Sequence, residues 1–303
     1  MLRRWAARPT AYYEAGALGG VVAGVVVYNS EEVPISGRRR FNIISPEYEA
    51  SQGESVYKET MQQYASQILP PHHPKHRMVQ RILDRLIPHS GLEGEQWEVH
   101  VIDSPEKNAF VIPGGKVFVF SGIMDVCKGE DGLAAVLGHE IAHNVAHHAA
   151  ERLSRVIPLL AVAYVGSLAL GIDAGLGSTI VDLAFLRPGS RSQESEADYI
   201  GLLMMAESCY DPEAAAALWA RMEKEEQAAP PQFLSTHPSN HNRLQKIGDW
   251  MDEARRKQEN SNCHGTAVFG KQRLLREFDR SIPLLTSFPA DQFKSNMPSV
   301  ARW

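Results

Sequence analysis

The chain begins polar and basic, then turns continuously apolar from Ala15 to Tyr28 (AGALGGVVAGVVVY). Fourteen such residues make a helix of about 21 Å, short of the roughly 30 Å hydrocarbon core, and extension back to Ala11 adds a turn. With Arg3, Arg4 and Arg8 ahead of it, this is a targeting or anchoring pattern; a membrane anchor is the leading reading and a cleaved signal the alternative. From Glu47 the apolar positions fall at helical spacing, through Tyr57, Met61 and Tyr64 and again through Met78, Ile82, Leu83 and Leu86, which predicts the core faces of two helices. Trp97 to Asp103 alternates apolar and polar. Asn108 to Ile112, Pro113-Gly114-Gly115 and Lys116 to Phe120 then read as strand, turn, strand, so a small antiparallel sheet is expected. Beyond Gly132 the pattern is helical, from Leu133 to Leu153, over Val156 to Leu186, from about Glu194, and from Pro212 to about Gln227. Strands followed by helices predict a mainly helical α+β fold.

These shifts divide the chain into an anchor and basic connector over 1–45, a main folded domain over 46–260, and a tail over 261–303 expected to pack on or near that domain. Arg38, Arg39 and Arg40 beside an anchor could engage anionic lipid at on the order of 1 kcal/mol each, or line a solvated loop. Val156 to Leu186 reads either as a buried or membrane-apposed helical hairpin or as a second span.

Charge narrows the function. With 31 Lys and Arg against 36 Asp and Glu, the net charge of −5 offers no general basic excess, so nucleic acid is not an expected partner. Cys127, Cys209 and Cys263 are too few and too scattered for a disulfide framework, and they leave the compartment open.

The chemistry lies in His139-Glu140-Ile141-Ala142-His143, inside a helical run with no breaker. Residues four apart on a helix differ by about 40° in azimuth and about 6 Å in height, so both imidazoles can share one ion. Neutral imidazole suits zinc, and Glu140, displaced from the ligand direction, can face a water beside the metal and serve as general base. With 12 His and 24 Glu in 303 residues, about 0.04 such matches are expected by chance, so context must complete the site. A third ligand could be His147 or an acid in Glu194-Ser195-Glu196-Ala197-Asp198. His139 and His147 are about 12 Å apart along a straight helix, which favours a surface or supporting place for His147. Glu194 as ligand, with Asp198 four residues on accepting a hydrogen bond from a ligand imidazole, draws both from one helix.

Several further segments occur in order: GHEIAH at 138–143, SRSQESEAD at 190–198, YDPEAAAALWARM at 210–222, THPSNHNR at 236–243, NAF at 108–110 and VPISGRRRF at 33–41. Together they resemble the membrane-associated zinc peptidases of the gluzincin group, which include the CAAX prenyl proteases and the HtpX-like proteases, and look most like the mitochondrial inner-membrane branch. The resemblance covers roughly residues 33 to 250. It implies a zincin-type fold with an active-site HExxH helix, one Zn2+ per chain on His139, His143 and Glu194, Glu140 as catalytic base, and His237 as a candidate oxyanion donor. It further implies that Asn108, Ala109 and Phe110 form an edge strand that pairs with extended substrate, and it brings Arg243 to the site as a substrate-binding or acid-locking residue. The expected activity is endopeptidase cleavage of membrane or misfolded proteins in mitochondrial inner-membrane quality control and stress response, with protein substrates as partners and a homo-oligomer admitted. A bacterial-envelope peptidase and a zinc-bound chaperone or binding protein without turnover are the rivals.

Overall fold

The computed structural model describes residues 8–169, 189–228, 233, 237, 242–261 and 263. The chain falls into two units, Met1–Ser261 and Asn262–Trp303, and every element below belongs to the first. The expected tail lies outside the described residues except at Ser261 and Cys263, and so does the second half of Val156 to Leu186.

Helix α1, Ala11–Tyr28, spans 18 residues, or about 27 Å. Its apolar side chains, from Leu18 to Val27, stand exposed, and among the described residues it is the one helix long and apolar enough to cross a membrane. Directly after it, β1 (Ser30–Glu32) and β2 (Arg39–Phe41) form an antiparallel hairpin with Ser30 opposite Phe41. This corrects the reading of the basic run as a lipid-facing connector. Arg40 is buried, with its guanidinium on the Ala146 carbonyl and on Glu31 at 2.8 Å. Arg38 is turned onto Glu151 and Glu196 at 2.7 Å each, and Arg39 alone of the three is exposed. Buried Glu151 and Glu196 outcompete a lipid headgroup for Arg38, because leaving such acids unpaired costs more than a surface contact returns, and Arg40 is itself buried away from any headgroup.

Helix α2 (Pro46–Tyr64) starts where its chemistry says it should: Ser45 caps the Tyr48 amide, Pro46 occupies the first turn, and Glu47 and Glu49 sit at the positive end of the dipole. Helix α3 (Pro74–Leu86) follows, then β3 (Glu98–Ile102), β4 (Ala109–Ile112) and β5 (Lys116–Phe120). The expected hairpin of β4 and β5 is present, turned by Gly114 and Gly115 at φ 94° and 80°, a region that favours glycine. The sheet it belongs to is mixed rather than antiparallel, because β3 joins β5 in parallel, in the order β3-β5-β4. Central β5 is covered on both faces. Val117 and Val119 join the main core with Ile82, Leu83 and Leu86 of α3, whereas Phe118 and Phe120 meet Tyr57, Met61 and Tyr64 of α2. Strand β4 is left as an edge.

The helical body comprises α4 (Ile123–Cys127), α5 (Glu130–Val145), α6 (His148–Ala169), α7 (Arg191–Glu207), α8 (Glu213–Ala228) and α9 (Arg243–Asn260). The run from Leu133 to Leu153 is therefore two helices, broken at His147, whose φ is +45°. No Gly or Pro marks this break. Tertiary contacts hold it: Arg40 takes the Ala146 carbonyl, and Glu49 bonds His147 Nδ1 at 2.7 Å. Helices α5 and α7 pack backbone to backbone, with Gly138 facing Gly201.

The Cys127 thiol, buried in the main core, is pushed up to about 12 by that burial. Only thiolate reacts with alkylating reagents, so the Cys127 peptide is expected to stay unmodified by iodoacetamide at pH 8 in the folded protein and to label in urea. Equal labelling in the two states, read by mass spectrometry, would contradict this packing.

Candidate metal centre

Helix α5 carries His139, Glu140 and His143, all buried, and α7 carries Glu194 and Asp198 against them. A capping box between Ser190 and Gln193 starts α7, so Glu194 sits in its first turn at a fixed place. His139 Nε2 and His143 Nε2 lie 3.1 Å apart. Glu194 closes on them, its Oε2 3.4 Å from His139 Nε2 and its Oε1 3.7 Å from His143 Nε2. His237 enters the same group, with Nδ1 3.2 Å from both His139 Nε2 and Glu194 Oε2.

These separations, 3.1–3.7 Å, are of the size that donors around one small ion would have. An ion with ligands at roughly 2.0–2.1 Å has neighbouring ligand atoms about 3.3–3.4 Å apart. The hydrogen bond behind His139 agrees with a cation there. Asp198 Oδ1 accepts from His139 Nδ1 at 2.9 Å, which places that ring's proton away from the group. His143 Nδ1 meets His148 Nδ1 at 2.7 Å on the side away from the group. If His143 carries its proton on Nδ1 as well, two imidazole lone pairs face each other beside a carboxylate, and Glu194 Oε1 is buried without a hydrogen-bond partner. Such an arrangement is repulsive unless a cation holds it, so the donor set fits a metal ion.

Electrostatics follow from burial and from these contacts. Burial pushes His143 well below the usual histidine range. For His139 burial is outweighed by hydrogen bonds to Asp198 and Glu194, and the net shift is upward. Burial acts to raise Glu194, but the neighbouring imidazoles of His237, His139 and His143 hold it well below the carboxylate range. Glu140 goes the other way: burial, reinforced by the charge of Glu194 and only partly opposed by His237 and Arg243, pushes it up to about 7. No hydrogen bond closes on Glu140 Oε1, although His237 Nε2 lies 3.3 Å away.

The remaining expected residues divide. Arg243 is not at the cleft wall, which corrects its assignment to substrate: it is buried, its Nε and NH2 bond Asp198 at 2.6 and 2.7 Å, and its guanidinium lies 3.4 Å over the Trp219 ring. Its alternative reading, as the lock on an acid, describes this geometry. Asn108 and Phe110 line a cleft of about 340 Å³ with Glu140, His143 and His237, with α2 as the facing wall. Ala109 points into the core instead, as alternation along a strand requires. His147 is half-exposed on Glu49, away from the group, while Thr236 and Pro238 lie outside the described residues. Sequence reasoning missed His148 and Glu196. Helical spacing carries no signal for His148 beside His143, since only the break at His147 brings them together. Glu196 lies within the candidate acid segment, but helical spacing selects Glu194 and Asp198 and gives it no role.

Comparison with known proteins agrees with the geometry. The model for peptidase family M48 matches residues 74–251, which contain the whole donor group. A mitochondrial metalloendopeptidase OMA1 of Schizosaccharomyces pombe is 45% identical over 81% of this chain and 74% of its own length. Its Saccharomyces cerevisiae counterpart is 37% identical over 80% of this chain and 74% of its own. The Bos taurus metalloendopeptidase OMA1, mitochondrial, is 33% identical over 80% of this chain, which spans 50% of that longer protein. The mainly helical α+β fold, the buried donor group and a family match over more than half of the sequence agree, and the chain belongs to peptidase family M48 as a mitochondrial metalloendopeptidase.

Proposed function

We propose that the chain is a zinc-dependent endopeptidase held at the mitochondrial inner membrane by α1, which cleaves membrane or misfolded proteins in quality control and stress response. The observation that carries this is the convergent group of His139, His143, Glu194 and His237 with Glu140 Oε1 unbonded beside it, at the end of a cleft whose one wall is an edge strand.

Nitrogen and carboxylate donors without sulfur suit zinc, and a zinc ion on these residues would supply Lewis-acid polarisation of the scissile carbonyl and acidify a water next to it. Glu140 then takes the proton of the attacking water and hands it to the departing amine. His139, His143 and Glu194 would hold the ion, and His237, whose Nδ1 adjoins the same donors, would leave a place for substrate. With a substrate carbonyl bound next to these donors, the His237 ring would lie beside its oxygen, where a ring N–H would stabilise the developing negative charge.

Strand β4 holds the substrate. The Ala109 amide donates to Asn108 Oδ1 at 2.9 Å, and the Val111 carbonyl accepts from Asn144 Nδ2 at 3.3 Å. These two carboxamides occupy the groups that an added strand would use, and an extended peptide backbone replaces them one for one. Such recognition ignores side chains and demands unfolded substrate.

The test is cleavage of an unfolded protein and of its folded form by the full chain in bicelles, before and after removal of metal by chelator. Cleavage restricted to the unfolded form, lost with chelator and restored by zinc, is expected. Zinc retention with no cleavage under any condition would favour the binding-protein rival.

A further inference from the structure

Each ligand histidine is backed by an acid, and each acid is clamped by an arginine. For His139 the acid is Asp198 and the arginine is Arg243. For His143 the chain is longer: His143 Nδ1 meets His148 Nδ1 at 2.7 Å, His148 Nε2 meets Glu196 Oε2 at 2.9 Å, and Arg38 Nε donates to that same oxygen at 2.7 Å. His148 is fully buried, and Ser36 donates a short bond to the other Glu196 oxygen.

Only one set of tautomers satisfies these contacts. If His143 Nε2 faces the metal, its proton is on Nδ1 and is donated to His148 Nδ1. His148 then carries its own proton on Nε2 and donates it to the Glu196 carboxylate. The reverse assignment would put a proton into the donor group and turn a bare imidazole nitrogen onto a carboxylate. Glu196 thus fixes His148, and His148 fixes the ring plane of His143.

What holds Glu196 comes from outside the helical body. Arg38 precedes β2, ten residues after the end of α1. Its fork also grips Glu151 of α6, at 3.0 and 2.7 Å, and Glu151 is buried and further bonded by Gln193 of α7 at 3.0 Å. The hairpin that follows the membrane helix is therefore seated on the acids that orient one ligand.

We propose that His148, Glu196 and Arg38 are positioning residues for His143, so that the seating of the β1–β2 hairpin sets how tightly the His143 arm holds the metal. This rests on the metal-centre reading. It differs from a merely structural role because the effect runs through one ligand's orientation rather than through global stability.

The test measures zinc release from the full chain in bicelles to a fluorescent chelator, with the visible absorption of the Co2+-loaded protein as a second readout. His148→Ala and Glu196→Gln are expected to release zinc about 10- to 100-fold faster, the range seen when partners behind a metal ligand are removed, and to shift the Co2+ bands. Arg38→Ala is expected to move the same two readouts in the same direction. His148→Gln, whose carboxamide can accept from His143 and donate to Glu196, restores slow release, and Arg39→Ala leaves both readouts unchanged. If His148→Ala does not fold, Glu196→Gln, which keeps the side-chain size, carries the test. Wild-type release rates and bands in Glu196→Gln and Arg38→Ala would overturn the proposal while leaving the centre intact. A wild-type chain that binds neither zinc nor Co2+ would instead overturn the metal-centre reading.

Discussion

Glu140→Gln is expected to lower peptide-bond cleavage by roughly 100- to 10,000-fold, the usual contribution of a general base, with zinc still bound at about one per chain. The substitution keeps the shape of a buried side chain that is 3% exposed and removes only its ability to take a proton. Glu140 is suited to that task because its surroundings raise it to about 7, near the pH at which a mitochondrial enzyme works. Such a base acts when ionised, so wild-type kcat/KM should rise with pH as Glu140 loses its proton. A cation in the neighbouring donor group favours the ionised form, which places this limb at or below about pH 7. In the Gln variant the residual activity should lose the limb. Retention of more than about a tenth of wild-type turnover would remove Glu140 from the role of base.

The second large effect is expected from a glycine with no side chain of its own in the site. A Cβ built on Gly201 would lie 2.7 Å from the His139 amide nitrogen and 2.8–2.9 Å from the Gly138 carbonyl, all backbone atoms that cannot swing aside. Gly201→Ala must therefore push α7 off α5, at about 1–3 kcal/mol for overpacking. The two helices carry complementary halves of the site, Glu194 and Asp198 on one and His139 and His143 on the other. A displacement of about 1 Å loosens the donor group, and about 100-fold lower kcat/KM is expected, together with weaker zinc retention. Gly248→Ala is the matched control, since its Cβ would meet nothing within 4 Å in the interior of α9. It should be neutral or stabilising by up to about 1 kcal/mol. Thermal unfolding and zinc content measured on both variants check the contrast, and equal behaviour of the two would contradict the close helix crossing.

The sequence was most informative where chemistry and period coincide. Helical spacing alone brought His139 and His143 onto one face, and the pairing of Glu194 with Asp198 followed from the same rule on a second helix. The turn at Gly114-Gly115 was likewise legible, since glycine marks it, whereas the edge position of β4 was expected only from the family resemblance. What remained hidden depends on contacts between distant residues. The break at His147 has no Gly or Pro to announce it and exists because Arg40 and Glu49 hold the freed groups. Once it is there, His148 meets His143, and Glu196 becomes a buried partner of His148. The arginines beside α1 show the same limit: composition reads them as lipid-facing or as part of a solvated loop, whereas buried acids more than 100 residues later claim Arg38. Parallel pairing of β3 with β5 also has no local signature, because the intervening β4 hairpin supplies the return path.

Zinc K-edge X-ray absorption on the full chain, reconstituted with zinc in bicelles, tests the central claim most directly. The account predicts a first shell of about four nitrogen and oxygen atoms at roughly 2.0–2.1 Å, with outer-shell scattering from at least two imidazoles and no sulfur. That imidazole signal should fall in His143→Ala. A shell containing sulfur at about 2.3 Å, or a zinc spectrum unchanged by His143→Ala, would place the metal elsewhere and contradict the assignment of this centre.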